Sequence, residues 1–140
     1  MFGSSYVDAI DRQADLVPDR IAYVNSSGES MTYAQLRARS NSFALWLADT
    51  GNLNQGIPVV IYGHKSPYML TSMLACAKAG HAYAPVDTVY PADRVASIVD
   101  QIGDTCVIDL SGGMLNWDEV APGRCVLYLA DVERLCTTEA

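Results

Sequence analysis

Apolar and polar positions along the chain change period repeatedly, and each change marks an element. Val7, Ile10 and Ala14 recur on one helical face behind Ser5-x-x-Asp8, which predicts a capped helix ending at Val17-Pro18. Short strands are predicted over residues 21–25 and 30–32, joined by the turn Ser26-Ser27-Gly28-Glu29. Thr32-x-x-Gln35 is a capping box, and Leu36, Ser40, Phe43, Ala44 and Leu47 follow at helical spacing up to Gly51. Residues 57–62 are almost continuously apolar, as in a strand covered on both faces. Ser66-Pro67 supplies an N-cap and an N1 proline for a helix carrying Leu70, Met73, Leu74 and Ala77, which Gly80 ends.

Residues 82–86 read as a strand, and Pro85 confines it to an edge or a strand end. Pro91 opens a helix with Val95, Ile98, Val99 and Ile102 on one face, and Gly103 stops it. Strands are predicted over 105–109 and 125–130, with a helix beginning in the tail from Asp131. Residues 110–124, including Ser111-Gly112-Gly113, read as a surface loop. Strand and helix alternate with short connections after Ile57, which predicts an α/β fold: a mostly parallel sheet with helices on both faces. No repeat or low-complexity linker divides the chain, so residues 1–140 are expected to form a single domain.

Composition narrows what such a domain does. Half of the 140 residues are apolar and 18% are charged, enough for a packed core. Nine Lys+Arg against sixteen Asp+Glu give a net charge of −7, which argues against nucleic-acid partners and anionic membrane surfaces. No apolar run approaches the roughly 18 residues of a membrane span, and the N-terminus lacks the basic and apolar regions of a signal peptide. A cytoplasmic location is expected. Cys76, Cys106, Cys125 and Cys136 match neither C-x-x-C nor a zinc spacing, so reduced and mostly buried thiols are expected rather than a cystine framework.

Ligands of open parallel sheets bind beyond the carboxyl ends of the strands. Three such ends are candidates: Gly63-His64-Lys65, Asp87-Thr88 and Ser111-Gly112-Gly113. The first offers an imidazole and a cation, and the third a flexible backbone able to approach an anion. Neither a P-loop nor G-x-G-x-x-G is present. Two histidines, His64 and His81, cannot make a three-ligand catalytic zinc site without carboxylates or thiols placed by the fold. A Cys76–His81 nucleophile pair is disfavoured by Gly80 between them, and His81 reads better as a residue at the start of a strand, bonded to backbone. Lys78 complements a helix C-terminus, Tyr62, Tyr68, Tyr83 and Tyr90 suit core and rim, and Met69 and Met73 suit core packing. From the residues alone, this is an α/β domain without a self-contained catalytic constellation.

Two stretches carry a resemblance. Met31-Thr32-Tyr33-Ala34-Gln35-Leu36 resembles the first core motif of the adenylate-forming (AMP-binding) enzyme superfamily, with Gln35 in place of the usual Glu. Ala77-Lys78-Ala79-Gly80-His81-Ala82-Tyr83-Ala84-Pro85-Val86-Asp87, then Tyr90-Pro91-Ala92-Asp93-Arg94, resembles the second. Cys76 precedes it, and Ala84 stands where Val or Ile is usual. Within the superfamily the likeness is to the D-alanine–D-alanyl carrier protein ligases, also called D-alanine–poly(phosphoribitol) ligase subunit 1. It rests on Val60-Ile61-Tyr62-Gly63-His64-Lys65-Ser66-Pro67, on His81, and on Pro91-Ala92-Asp93-Arg94-Val95, and it covers residues 5–110.

The resemblance implies a ligase that uses ATP with magnesium to make D-alanyl-AMP and passes the alanyl group to the phosphopantetheine thiol of a D-alanyl carrier protein, for teichoic acid D-alanylation. The family's Gly-rich phosphate loop and its later aspartate, arginine and lysine motifs have no counterpart in the sequence. The chain is therefore expected to be an N-terminal part cut before the phosphate loop, inactive alone and without its own cofactor. No catalytic, cofactor-binding or metal-binding residue is carried over. A part of a peptide-synthetase adenylation domain or of an acyl-CoA synthetase, and a non-catalytic ligand-binding or interaction module, remain alternatives. The remainder of the ligase is an expected partner, and an apolar patch left uncovered by it would favour self-association.

Overall fold

Four short parallel strands form the centre of the molecule, and the residues that face each way from them define two cores. A computed structural model describes residues 2–49, 57–64, 66–103 and 105–137. The chain runs α1 (Phe2–Leu16), β1 (Ile21–Val24), β2 (Ser30–Thr32), α2 (Tyr33–Asp49), β3 (Val59–Tyr62) and α3 (Pro67–Ala79). It continues through β4 (Tyr83–Val86), α4 (Ala92–Ile102), β5 (Cys106–Asp109), α5 (Trp117–Val120), β6 (Cys125–Tyr128) and α6 (Leu129–Thr137). The parallel sheet has the order β4-β3-β5-β6, while β1 and β2 form a separate antiparallel hairpin.

Alternation along β3 sorts the cores. Val59 and Ile61 meet Phe43 and Leu47 of α2, Ala75 and Cys76 of α3, and Val132, Leu135 and Cys136 of α6. Val60 and Tyr62 meet Val95 and Val99 of α4, with Trp117 and Ala121 from the segment around α5. Every residue of β3 and β5 is buried, which explains their continuous apolar runs. The sheet is thus parallel with helices on both faces, as the alternation predicts. Met31, Leu36 and Leu74 form a third cluster that joins the hairpin to α2 and α3.

The chemistry of the element ends is the chemistry read from the sequence. The Gln35 backbone N–H donates to Thr32 Oγ1 at 3.1 Å and the Thr32 N–H donates to Gln35 Oε1 at 3.0 Å, closing the capping box of α2. Ser66 Oγ accepts from the Tyr68 N–H at the start of α3, with Pro67 in the first turn. Gly80 ends α3 at φ 82°, where a side chain would be strained. The edge position of β4 agrees with Pro85. Its backbone faces outward: the Ala82 and Val86 carbonyls accept from Val59 and Gly63, so alternation turns residue 85 away from β3.

Four expectations need correction. Helix α1 begins at Phe2, so Ser5 lies within it rather than capping it; no proline stops the helix upstream. The face of α3 differs, because Pro67, Thr71, Ser72, Leu74, Ala75 and Cys76 are its buried residues while Leu70, Met73 and Ala77 are half-buried. This helix packs against α1, α2 and the sheet at once, so burial wraps around it and amphipathic spacing is blurred. Strand β6 ends at Tyr128, and Leu129 and Ala130 open α6, because the Asp131 carboxylate reaches back to the Tyr128 N–H at 2.9 Å. Finally, residues 110–124 are not a surface loop. They contain α5, and Leu110, Trp117 and Ala121 are buried. The predicted stop at Gly51 lies outside the described residues.

Candidate functional site

The carboxyl ends of β3 and β4 open into a cleft of about 310 Å³ lined by Gly63, His64, Met69, Pro85, Asp87 and Tyr90. Parallel pairing of Tyr62 with Val86 brings Gly63-His64 beside Asp87. His64 Nδ1 lies 3.0 Å from Asp87 Oδ2, and the two side chains remain 46% and 42% exposed. Asp87 Oδ1 accepts from the Val89 N–H at 3.0 Å. That backbone bond, and then the imidazole, hold the Asp87 carboxyl below the usual aspartate range. Glycine at position 63 is a packing requirement, since a Cβ there would lie 3.1 Å from Leu110 Cβ and 3.2 Å from Met69 Sδ. Two of the three predicted strand ends therefore meet in one cleft. Lys65 lies outside the described residues.

The third strand end has a different use. Asp109 closes β5 and is 1% exposed. Its Oδ1 accepts from the Ser111 N–H at 2.8 Å and from Ser111 Oγ at 2.6 Å, and its Oδ2 accepts from Trp117 Nε1–H at 2.8 Å. The carboxylate thus folds residues 110–117 back over the sheet, where the Trp117 ring meets Tyr62 edge-on at 5.4 Å. Burial, with Asp109 and Asp87 nearby, pushes the Tyr62 phenol up. Ser111 is committed to an internal anion, so the Ser111-Gly112-Gly113 turn does not offer it to an outside one. Asp109 and Trp117 were missed in sequence; an aspartate ending an apolar strand two residues before a serine was the available signal.

The remaining candidates are structural. Lys78 Nζ donates to Asp11 Oδ1 at 3.2 Å, Ser40 Oγ at 2.9 Å and Asn41 Oδ1 at 2.7 Å, tying α3 to α1 and α2. Only 11% of its side chain is exposed, and burial lowers its pKa despite Asp11. A tether of three helices adds to the dipole role predicted for it, since Lys78 lies in the last turn of α3. His81 is buried with Nδ1 at 2.9 Å from the Ile57 carbonyl, the backbone bond expected of it. Burial pushes the Cys76 thiol up to about 12 and shuts it off from an outside electrophile, which removes it as an attacking nucleophile.

Comparison with known proteins places this arrangement. The family described as "AMP-binding enzyme" matches residues 10–136. The chain belongs to the AMP-binding enzyme family. The D-alanine–D-alanyl carrier protein ligase of Bacillus licheniformis is 34% identical over 138 residues, covering 86% of this chain and 27% of the relative. That of Bacillus cytotoxicus is 39% identical over 97 residues, covering 69% of this chain and 19% of the relative. Among solved structures, the N-terminal subdomain of Klebsiella oxytoca NpsA in complex with 3-hydroxybenzoyl-AMSN is 26% identical. It superposes with a TM-score of 0.74 over 95% of this chain and 32% of that one. The chain spans about a quarter of the length of the curated ligase it matches over most of its residues.

Within this AMP-binding chain the two motifs serve the fold. Thr32 and Gln35 start α2, Gly80 ends α3, Pro85 sits on the sheet edge, and Pro91 leads into α4. The cleft was tested for a magnesium–nucleotide site. Among the described residues no three His, Cys, Asp or Glu side chains gather to hold a metal. The described lining offers one carboxylate already bonded to His64 and Val89, and no array of backbone N–H groups aimed at an anion. These described residues do not fit a magnesium–nucleotide group. Among the described residues no helix is long and apolar enough to cross a membrane.

Proposed function

We propose that the chain is the N-terminal part of a ligase that activates D-alanine and delivers it to a carrier protein. In that reaction the D-alanine carboxylate attacks the α-phosphorus of ATP, pyrophosphate leaves, and the D-alanyl-AMP formed acylates a phosphopantetheine thiol with release of AMP. The observation that carries the reading is the 34% identity with a D-alanine–D-alanyl carrier protein ligase over 86% of this chain. ATP with magnesium, a D-alanyl carrier protein, teichoic acid D-alanylation and a cytoplasmic setting come with it.

The 140 residues supply one α/β unit: a scaffold sheet, its helices, and the cleft holding His64 and Asp87. Adenylation develops negative charge on transferring phosphate oxygens, which requires cations and backbone donors converging on them. The described lining of the cleft lacks that set, which supports a chain inactive by itself. Exposed Leu16, Ile21 and Val24 support self-association when the remainder of the ligase is absent.

ATP–pyrophosphate exchange tests the reading. A ligase containing this segment should exchange with D-alanine in preference to L-alanine or fatty acids, while the 140-residue chain alone should give only background. Preference for another amino or acyl acid would overturn the D-alanine assignment. Robust exchange by the isolated chain would overturn its inactivity. Sedimentation as a clean monomer would overturn self-association.

A further inference from the structure

The amino ends of β5 and β6, on the far side of the sheet from the cleft, carry a pair of thiols that the ligase reading leaves without a task. Cys106 and Cys125 are direct partners in the parallel register of the two strands. Adjacent strands lie roughly 4.8 Å apart, inside the Cα separation of about 4.4–6.8 Å that a disulfide accepts. Directly opposed residues point to the same face, so the two side chains leave adjacent strands side by side.

The neighbouring residue holds this register. The Arg124 guanidinium donates from Nε and Nη2 to the Gly103 carbonyl at 3.3 and 3.1 Å, and from Nη1 to the Pro122 carbonyl at 3.0 Å. The start of β6 is thereby pinned to the approach to β5. Access differs sharply between the two sulfurs. Cys125 is exposed, while Cys106 is fully buried in the core. Burial first, and then the adjacent Cys125, push the Cys106 thiol up, so it stays protonated beside an accessible partner.

We propose that Cys125 and Cys106 form a peroxide-sensitive dithiol, in which exposed Cys125 is the attacking thiol and buried Cys106 the resolving one. The Cys125 thiolate attacks a hydroperoxide, the O–O bond breaks, and a sulfenic acid forms with water or an alcohol as leaving group. The Cys106 sulfur then displaces hydroxide from that sulfenic acid, its proton leaves as part of water, and the S–S bond closes. With hydrogen peroxide, two thiols are oxidised and one peroxide is reduced to two waters. The bond formed would staple edge strand β6 to β5.

The test uses the full chain and hydrogen peroxide as the oxidant. Thiol titration under denaturing conditions should fall from four to two, with a matching loss of two hydrogens in intact mass. Peptide mapping should recover a Cys106–Cys125 crosslink that dithiothreitol reverses. Cys125→Ser, at an exposed position, should fold normally and leave Cys106 reduced after the same treatment, while Cys76→Ala should keep the crosslink. The proposal is overturned if Cys106 is lost equally in C125S. It is also overturned if Cys125 advances to a sulfinic acid with Cys106 still alkylatable, or if the main product is a Cys125-linked dimer.

Discussion

Two aspartates stand at the carboxyl ends of β4 and β5, the strands on either side of β3, and their surroundings divide the molecule into a closed part and an open part. Asp109, the last residue of β5, is buried and accepts three hydrogen bonds from Ser111 and Trp117. Asp87, after β4, is half-exposed and accepts from Val89 while facing His64 across the cleft. The first carboxylate is consumed in building the protein, since a buried anion persists only when its lone pairs are occupied. The second retains solvent access and a titratable neighbour. A carboxylate at a strand end therefore says nothing about ligand binding until its donors are counted.

Removing the closed carboxylate should have the largest effect. Asp109→Ala leaves the buried Trp117 N–H and the Ser111 groups without their acceptor, and should cost about 3 kcal/mol in urea denaturation. Trp117 emission should shift to the red as residues 110–117 loosen, and unchanged stability would erase the contrast between the two aspartates. Lys78→Ala tests whether a second enclosed charge behaves alike. It loses charged hydrogen bonds to Asp11, Ser40 and Asn41, and about 2 kcal/mol is expected, with Lys78→Met recovering the packing share.

Gly63 lies between the two regions, touching Leu110 on one side and Met69 on the other. Gly63→Ala should cost about 1 kcal/mol because Leu110 Cβ cannot swing away, and thermal melts would show it. The smallest effect belongs to the open carboxylate. The Asp87 pKa is lowered in the folded state, so its contribution is complete above the ordinary aspartate value and is lost as pH falls through the lower folded value. Asp87→Asn should trail the wild type slightly near neutrality and converge with it in acid. Melts recorded between about pH 2 and 7 measure that convergence. A gap that widens toward acid would reverse the assigned sign.

The open region was more legible in the sequence than the closed one. Local rules were enough for the Thr32–Gln35 box, the Ser66-Pro67 start, the Gly80 stop and the edge placement forced by Pro85, because each depends on backbone chemistry within a few residues. Parallel order then brought His64 to Asp87, two strand ends already singled out. Residues 110–124 defeated the same approach, since the partner of Trp117 is a carboxylate eight positions upstream and no periodicity announces it. Lys78 sits in the last turn of α3 as read, but its tether was hidden for a similar reason: its anchors lie 67, 38 and 37 residues away. The face of α3 was blurred because three neighbours bury one helix. Long-range satisfaction of polar groups and burial on several sides leave no local trace.

The outward-facing Pro85 has one further consequence, for the direction in which the sheet can be extended. A strand laid against β4 would find a missing donor at that residue, so its ladder would be broken at the middle of a four-residue register. At the opposite margin none of Cys125, Val126, Leu127 and Tyr128 is a proline, but the Tyr128 N–H is already given to the Asp131 carboxylate at 2.9 Å. The two margins of the sheet are therefore blunted by different chemistry: a missing donor at Pro85 on β4, and on β6 a donor at Tyr128 already satisfied from α6.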